Sequence, residues 1–240
     1  MDHTYSSLRR GSPRHGALLR RVLAIVTMAA PIPVSGQLVD RGIFVLYSGG
    51  EEVGREEFTI QRVGTGDAQV TLATGTLTLR DGRTMETIMH LVGTTMVLNT
   101  YEVSVSGSDT LTIRVIRAGN RLRTRTVAPW GEELREYPAR APTVIFDEGV
   151  AHHYFILEAL LETYGAEARI HAVVPLAEME ESQTRSDVGA ETIEVGGERV
   201  ETTRIRLSSG GESRVAWFDG SGRLVRVAWA ARGFEALRLP

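Results

Sequence analysis

The sequence predicts a mainly β (α+β) fold, a curved antiparallel sheet or half-barrel wrapped around one main α-helix. Three observations carry this. Short runs with apolar and polar residues in strict alternation recur along most of the chain. Tight-turn signals such as Gly49-Gly50, Asp81-Gly82 and Gly196-Gly197 separate them. One long segment, Pro142 to Tyr164, has helical periodicity instead, and strand-rich halves flank it. Two β-domains joined near residue 140 would also fit this layout. The 240 residues, 42% hydrophobic and 24% charged, are enough to bury a core.

Residues 1–36 read as a secretory signal. Arg9, Arg10, Arg14, Arg20 and Arg21 form a basic region, Val22 to Ala30 a short apolar core, and Ser35-Gly36 offers small residues for cleavage before Gln37. The apolar run is about nine residues, short of the roughly 20 that span a bilayer. Cleavage removes five arginines and Asp2, so the net charge falls from −3 to −7 over residues 37–240, expected to form a single β-rich domain. An acidic mature chain argues against nucleic acid and anionic membrane surfaces as partners. The chain has no cysteine, which excludes disulfides and thiolate metal sites. No later segment reaches the length of a transmembrane helix. The expected location is the periplasm or cell envelope.

Taken in order, Gly42–Tyr47 and Arg55–Arg62 read as a hairpin turning at Gly49-Gly50, with Phe58 and Ile60 on one face and Glu57, Thr59 and Gln61 on the other. Gln69–Leu79, Thr84–Val92, Thr95–Val105, Leu111–Ile116 and Arg121–Val127 continue as an antiparallel meander. Pro129, Pro138 and Pro142 make Trp130–Pro142 a loop or an edge segment. A helix is expected near 148–164, with Asp147 as N-cap, Gly165 as stop, and Val150, Tyr154, Leu157, Leu161 and Tyr164 on one stripe. Strands resume at Ala168–Leu176. Ser182–Asp187 is polar and reads as a loop. Hairpins follow through Thr192–Leu207 and Ser213–Trp229, and Phe234–Leu239 reads as a last edge strand.

Pro142-Thr-Val-Ile-Phe-Asp147 followed by His152-His153-Tyr154 is one distinctive motif. Trp217-Phe-Asp-Gly-Ser-Gly-Arg-Leu-Val-Arg-Val227 is another. Together with the early strand Gly54-x-Glu56-x-Phe58 they resemble a family of exported bacterial β-rich proteins of unknown function. That family is linked to half-barrels like the periplasmic lipoprotein carrier LolA. The resemblance extends over most of residues 40–230. It implies an open curved sheet around a helix and supplies no catalytic residue.

Several residues invite chemistry. His152 and His153, near Asp147 and Glu148, suggest a metal site. Neighbours on a helix, however, point about 100° apart, whereas helical metal sites present histidines at i and i+4. A structural or surface role is expected instead. His90 and His171 fall on strands. No Gly-x-Ser-x-Gly elbow, phosphate loop or dinucleotide fingerprint occurs. Arg121, Arg123 and Arg125 share a strand face, as do Arg204 and Arg206. They form either an anion-binding stripe or a solvated face paired with carboxylates such as Glu132 or Glu133. Met85, Met89 and Met96 suit core filling or an adaptable apolar groove.

The expectation is a non-enzymatic exported protein with no catalytic, metal or cofactor site. It would bind a hydrophobic or amphiphilic ligand such as a lipid between sheet and helix, through Tyr154, Leu157, Leu161, Trp217 and Trp229. The alternatives are a cell-envelope module that pairs a partner protein through an edge strand such as Phe234–Leu239, and a hydrolase using His152, His153 or His171. A transmembrane barrel would need aromatic girdles that are not apparent.

Overall fold

Glycine-punctuated alternation produces one long meander. The structure, a computed structural model, describes residues 36–108, 110–165 and 168–240, without the side chains of residues 186 and 187. The expected signal segment therefore lies outside the described residues apart from Gly36. In chain order the strands are β1 (Gln37–Ser48), β2 (Glu51–Val63), β3 (Val70–Leu79), β4 (Thr84–Val92), β5 (Val97–Ser106), β6 (Leu111–Ala118), β7 (Arg121–Ala128) and β8 (Gly131–Pro138). Next come β9 (Thr143–Ile145), a 3-10 turn at His152–Phe155, α1 (Ile156–Tyr164) and β10 (Arg169–Val174). β11 (Met179–Val195), β12 (Glu198–Ser209), β13 (Glu212–Asp219), β14 (Leu224–Trp229) and β15 (Phe234–Arg238) complete the chain.

All fifteen strands join one sheet, ordered β8-β7-β6-β5-β4-β3-β2-β1-β15-β14-β13-β12-β11-β10-β9. Every pairing is antiparallel except β9 with β10. This is the mainly β fold with one helix that the sequence predicts. Gly49 and Gly50, at φ 59° and 85°, supply the doubly left-handed turn that joins β1 to β2. The sheet is open, because β8 and β9 are its two ends. Its curvature is seen in what its inner face touches. Phe58, Met89 and Tyr101 from one half, and Ile205, Phe218 and Val227 from the other, share a single core with Phe146, Val150, Leu157 and Leu160 of the enclosed segment. Arg135 on β8 reaches Glu178, just before β11, at 2.5 Å, so side chains bridge regions far apart in strand order.

Four local expectations need correction. The α-helix is nine residues, not the span 148–164, and Asp147 does not cap it. Its carboxylate accepts instead from the Tyr101 hydroxyl (2.6 Å) and the Leu176 amide (2.9 Å). The amides of Ala151 and His152, where the 3-10 turn begins, donate to Glu56 on β2 at 2.9 and 3.1 Å. The expected apolar stripe survives in part: Val150, Tyr154 and Leu157 are buried, Leu161 is half-buried and Tyr164 is exposed. Gly165 does end the helix, its amide bonding Leu161 O at 3.1 Å.

Ser182–Asp187 lies within β11 rather than in a loop. Pairing with β10 and β12 satisfies its backbone, and its polar side chains include the buried Gln183 and Arg185. Phe234–Leu239 is not an edge: β15 lies between β1 and β14, closing the first strand against the last. Of the two alternatives expected for Trp130–Pro142, the edge segment is the one found, as β8. Among the described residues no helix is long and apolar enough to cross a membrane.

Candidate functional site

Alternation on β3 to β6 aims Leu77, Leu79, Met85, Val105 and Leu111 at one mouth of the curved sheet. From the opposite wall come Arg214 of β13, Trp229 at the end of β14, Arg232 and Phe234 of β15. The chain after β9, from Phe146 to Val150 with Tyr154, forms the floor between them. The result is a groove of about 650 Å³, within the size range of small-molecule sites. Phe146 and Tyr154 stack with ring centroids 4.4 Å apart. Trp130, 75% exposed, stands at the rim.

The polar groups of the groove are few and held in place. Arg214 lies 3.9 Å over the Trp229 ring, pairs with Glu181 at 2.6 Å and donates to the Tyr154 hydroxyl. Arg232 approaches the same ring at 5.0 Å. The Trp229 indole N–H donates to Glu212 at 3.0 Å. Burial pushes the Tyr154 phenol up to about 12, so it is a neutral donor and acceptor at physiological pH. Arg83 pairs with Asp81 at 2.8 Å.

The expected ligand-binding residues separate into three places. Tyr154 and Trp229 line the groove. Leu157 is fully buried in the core, and Leu161 packs against that core. Neither lines the groove. Trp217 belongs to a separate apolar cluster with Ile193 and Val225, and its indole donates to Glu191 at 3.1 Å. Strand parity explains this: Trp217 alternates with the core residues Ala216 and Phe218 and so faces the other way. Sequence reasoning missed Arg214 and Arg232. Nothing in their spacing marks them, because β13 and the turn after β14 meet only through the sheet.

His152 and His153 are both fully buried. The imidazole Nδ1 of His152 and Glu56 Oε1 are 2.6 Å apart, and Phe58 stacks parallel to the His152 ring at 5.8 Å. A Cβ added to Gly75 on β3 would stand 2.5 Å from His152 Cε1, so the missing side chain makes room for the imidazole. The His153 ring packs edge-on to Tyr101 at 5.3 Å and to His152 at 4.6 Å. Neither histidine lines the groove. Among the described residues no group of three or more His, Asp or Glu is placed to hold a metal ion. His171 lies 3.2 Å from Glu180 on the adjoining strand.

Two buried groups titrate in opposite senses. Burial raises the Asp147 carboxyl from 3.8 to about 6, against the lowering effect of its bonds to Tyr101 and Leu176. The folded state therefore holds this proton more tightly than the unfolded chain. The associated stability is complete below about 3.8 and is lost as pH rises through about 6. Burial, with a smaller contribution from His152, lowers His153 well below 6.5. Its stability is present above 6.5 and is lost as pH falls.

Two of the three arginines on the β7 stripe are paired with carboxylates of β8. Arg125 meets Glu132 at 2.7 Å and Arg123 meets Glu136 at 2.9 Å. A wider depression of about 910 Å³ is lined by Glu57, Thr59, Thr76 and Glu86 of β2 to β4 together with Ile43, Ile88 and Leu239.

Comparison with known proteins places these features in limited context. No protein-family model matches the chain, and no curated protein matches it. Among solved structures, a β-barrel-like protein of a domain of unknown function, DUF1849, from Brucella abortus is similar. The identity is 10%, the match covers 85% of this chain and 97% of that one, and the TM-score is 0.49.

Proposed function

We propose that this is an exported, non-enzymatic binding protein of the cell envelope. It takes a hydrophobic or amphiphilic ligand, such as a lipid, into the groove between the inner face of the sheet and the segment around Tyr154. The observation that carries this reading is the groove itself. It is about 650 Å³, with an apolar wall from β3 to β6 and a few fixed polar groups opposite, as a ligand with both characters requires. The seclusion of His152 and His153 supports binding rather than hydrolysis, since a catalytic base must reach its substrate. The basic, then apolar, N-terminal sequence supports export.

Mass spectrometry of small molecules extracted from the purified protein tests the proposal. A stoichiometric lipid or other amphiphile is expected, and its recovery should fall when Tyr154 and Trp229 are both replaced by alanine. A protein that is free of such molecules and binds no apolar fluorescent probe would refute it.

A second reading, an envelope protein-interaction module, is favoured by one feature. The edge strand β8 exposes Leu134 at 72%. Cross-linking in cells with a photoreactive residue at position 134 tests it. Specific recovery of one envelope protein would support this reading, and recovery of none would remove it.

A further inference from the structure

We propose that the ligand of this groove carries an anionic head, a phosphate or a carboxylate, which seats against Arg232 beside Trp229 while its hydrocarbon chain lies along Leu77, Leu79 and Met85. The inference rests on the reading of the groove as an amphiphile site.

The two walls differ in kind because they come from different parts of the sheet. The β3 to β6 wall presents aliphatic side chains and Met85. Arg83, in the turn between β3 and β4, is held by Asp81. The opposite wall brings two guanidinium groups to one indole, Arg214 at 3.9 Å and Arg232 at 5.0 Å. Two cations gathered at one ring repel each other unless anions accompany them. Arg214 has its anion, Glu181 at 2.6 Å, and also donates to Tyr154. Among the described residues Arg232 has no carboxylate within ion-pair distance, and its guanidinium lies over the face of Trp229. It is the cation left for a ligand.

The anions nearby do not offset this equally. Both oxygens of Asp147 are engaged, one by the Tyr101 hydroxyl and one by the Leu176 amide. Glu212 accepts from the Trp229 indole. Glu148 lines the groove and is exposed, so it opposes an anionic head. This fixes the sign of two substitutions. Removing the Arg232 charge should weaken an anionic amphiphile, and removing the Glu148 charge should tighten it.

Isothermal titration of the purified, delipidated protein with four probes below their micellar concentrations tests the inference. The probes are dodecyl phosphate, dodecyl maltoside, dodecyltrimethylammonium and inorganic phosphate. Dodecyl phosphate should bind up to about fivefold more tightly than dodecyl maltoside, the upper end expected of one exposed charge pair. Arg232→Gln should remove that advantage and leave dodecyl maltoside unchanged. Glu148→Gln should raise dodecyl phosphate affinity, and added salt should lower it.

Equal binding of dodecyl phosphate and dodecyl maltoside would overturn the anionic head while the groove reading stood. Preference for the ammonium probe would overturn it in favour of Glu148. Failure of all three dodecyl probes would overturn the groove reading as well. Inorganic phosphate binding as tightly as dodecyl phosphate would mark a plain anion site and remove the role of the chain. Arg232 is exposed, so a retained thermal midpoint in Arg232→Gln is expected. The Glu148→Gln and salt results decide the question independently if that variant does not fold.

Discussion

Replacing Gly75 by alanine isolates one contact at the heart of the molecule. Within a strand, alanine in place of glycine ordinarily stabilises by roughly 0.5–1 kcal/mol, because glycine loses more chain entropy on folding. At Gly75 the sign should reverse. The new Cβ would lie 2.5 Å from Cε1 and 2.8 Å from Nδ1 of His152, and 3.1 Å from Thr87 Oγ1. His152 has little room to yield. Phe58 stacks on one face, the His153 ring lies 4.6 Å away, and Glu56 holds Nδ1 at 2.6 Å. Overpacking a core costs about 1–3 kcal/mol, and loosening a buried bond to a charged group about 1.5–3 kcal/mol. The expected net loss is therefore about 2–4 kcal/mol. With a urea dependence of about 2 kcal/mol per M, the unfolding midpoint should fall by about 1–2 M.

Two companions make the test discriminating. Gly189 on β11 has only Arg204 Nη2 within 4 Å of a built Cβ, at 3.9 Å, so Gly189→Ala should be neutral or stabilising in the same titration. In a His152→Ala background the obstruction is gone, so Gly75→Ala should cost at least about 1 kcal/mol less than in the wild type. If Gly75→Ala is as mild as Gly189→Ala, or its cost adds fully to that of His152→Ala, the interlock of β3 with the enclosed segment is not a source of stability.

Three further predictions use the same core. Glu56→Ala strands two backbone amides and an imidazole, and should destabilise by about 3–5 kcal/mol in urea titration; a loss below about 1 kcal/mol would contradict this. Leu157→Asp places a carboxyl at a fully buried core position, so it should cost more than about 4 kcal/mol and give little soluble folded protein by circular dichroism. Asp147→Asn removes a group that gains stability as pH falls from about 6 to 4, leaving His153 unopposed, whereas His153→Phe does the reverse. Between pH 7 and 4.5 the urea midpoint of Asp147→Asn should fall more than that of the wild type, and that of His153→Phe less; indistinguishable slopes in the three proteins would rule this out.

Much of the fold was legible because period-two alternation and glycine turns act locally. The β1–β2 hairpin, the β3–β7 meander and the stop at Gly165 follow from residues adjacent in sequence. The helix start was misread for a non-local reason. Asp147 has the chemistry of a cap, but Tyr101, forty-six residues earlier, claims its carboxylate. Glu56, ninety-five residues before Ala151, supplies the acceptor that the turn needs. That signal was partly visible, since Glu56 falls on the Phe58 and Ile60 face of β2, where a carboxylate among apolar residues calls for a partner. Composition misled at Ser182–Asp187, because Gln183 and Arg185 point into the protein from a strand paired on both sides. Phe234–Leu239 was misplaced at an edge because the pairing of the last strand with the first leaves no local trace.

The polar anchors do what apolar burial alone does not. Apolar contacts are non-directional and would keep the segment after β9 inside the curved sheet without fixing its register. Hydrogen bonds fix register because they weaken steeply with misalignment. Glu56 to His152 and Tyr101 to Asp147 bind that segment to β2 and β5, neither of which is its neighbour in the sheet. Asp147, held at both oxygens, in turn positions Glu148, Gly149 and Val150 at the groove. The groove floor is therefore set by buried bonds rather than by its own lining. Loosening an anchor would blur the shape of the groove before the fifteen-stranded ladder comes apart, because the ladder's backbone bonds do not pass through it. A sheet that does not close on itself can in this way keep a defined groove at its mouth.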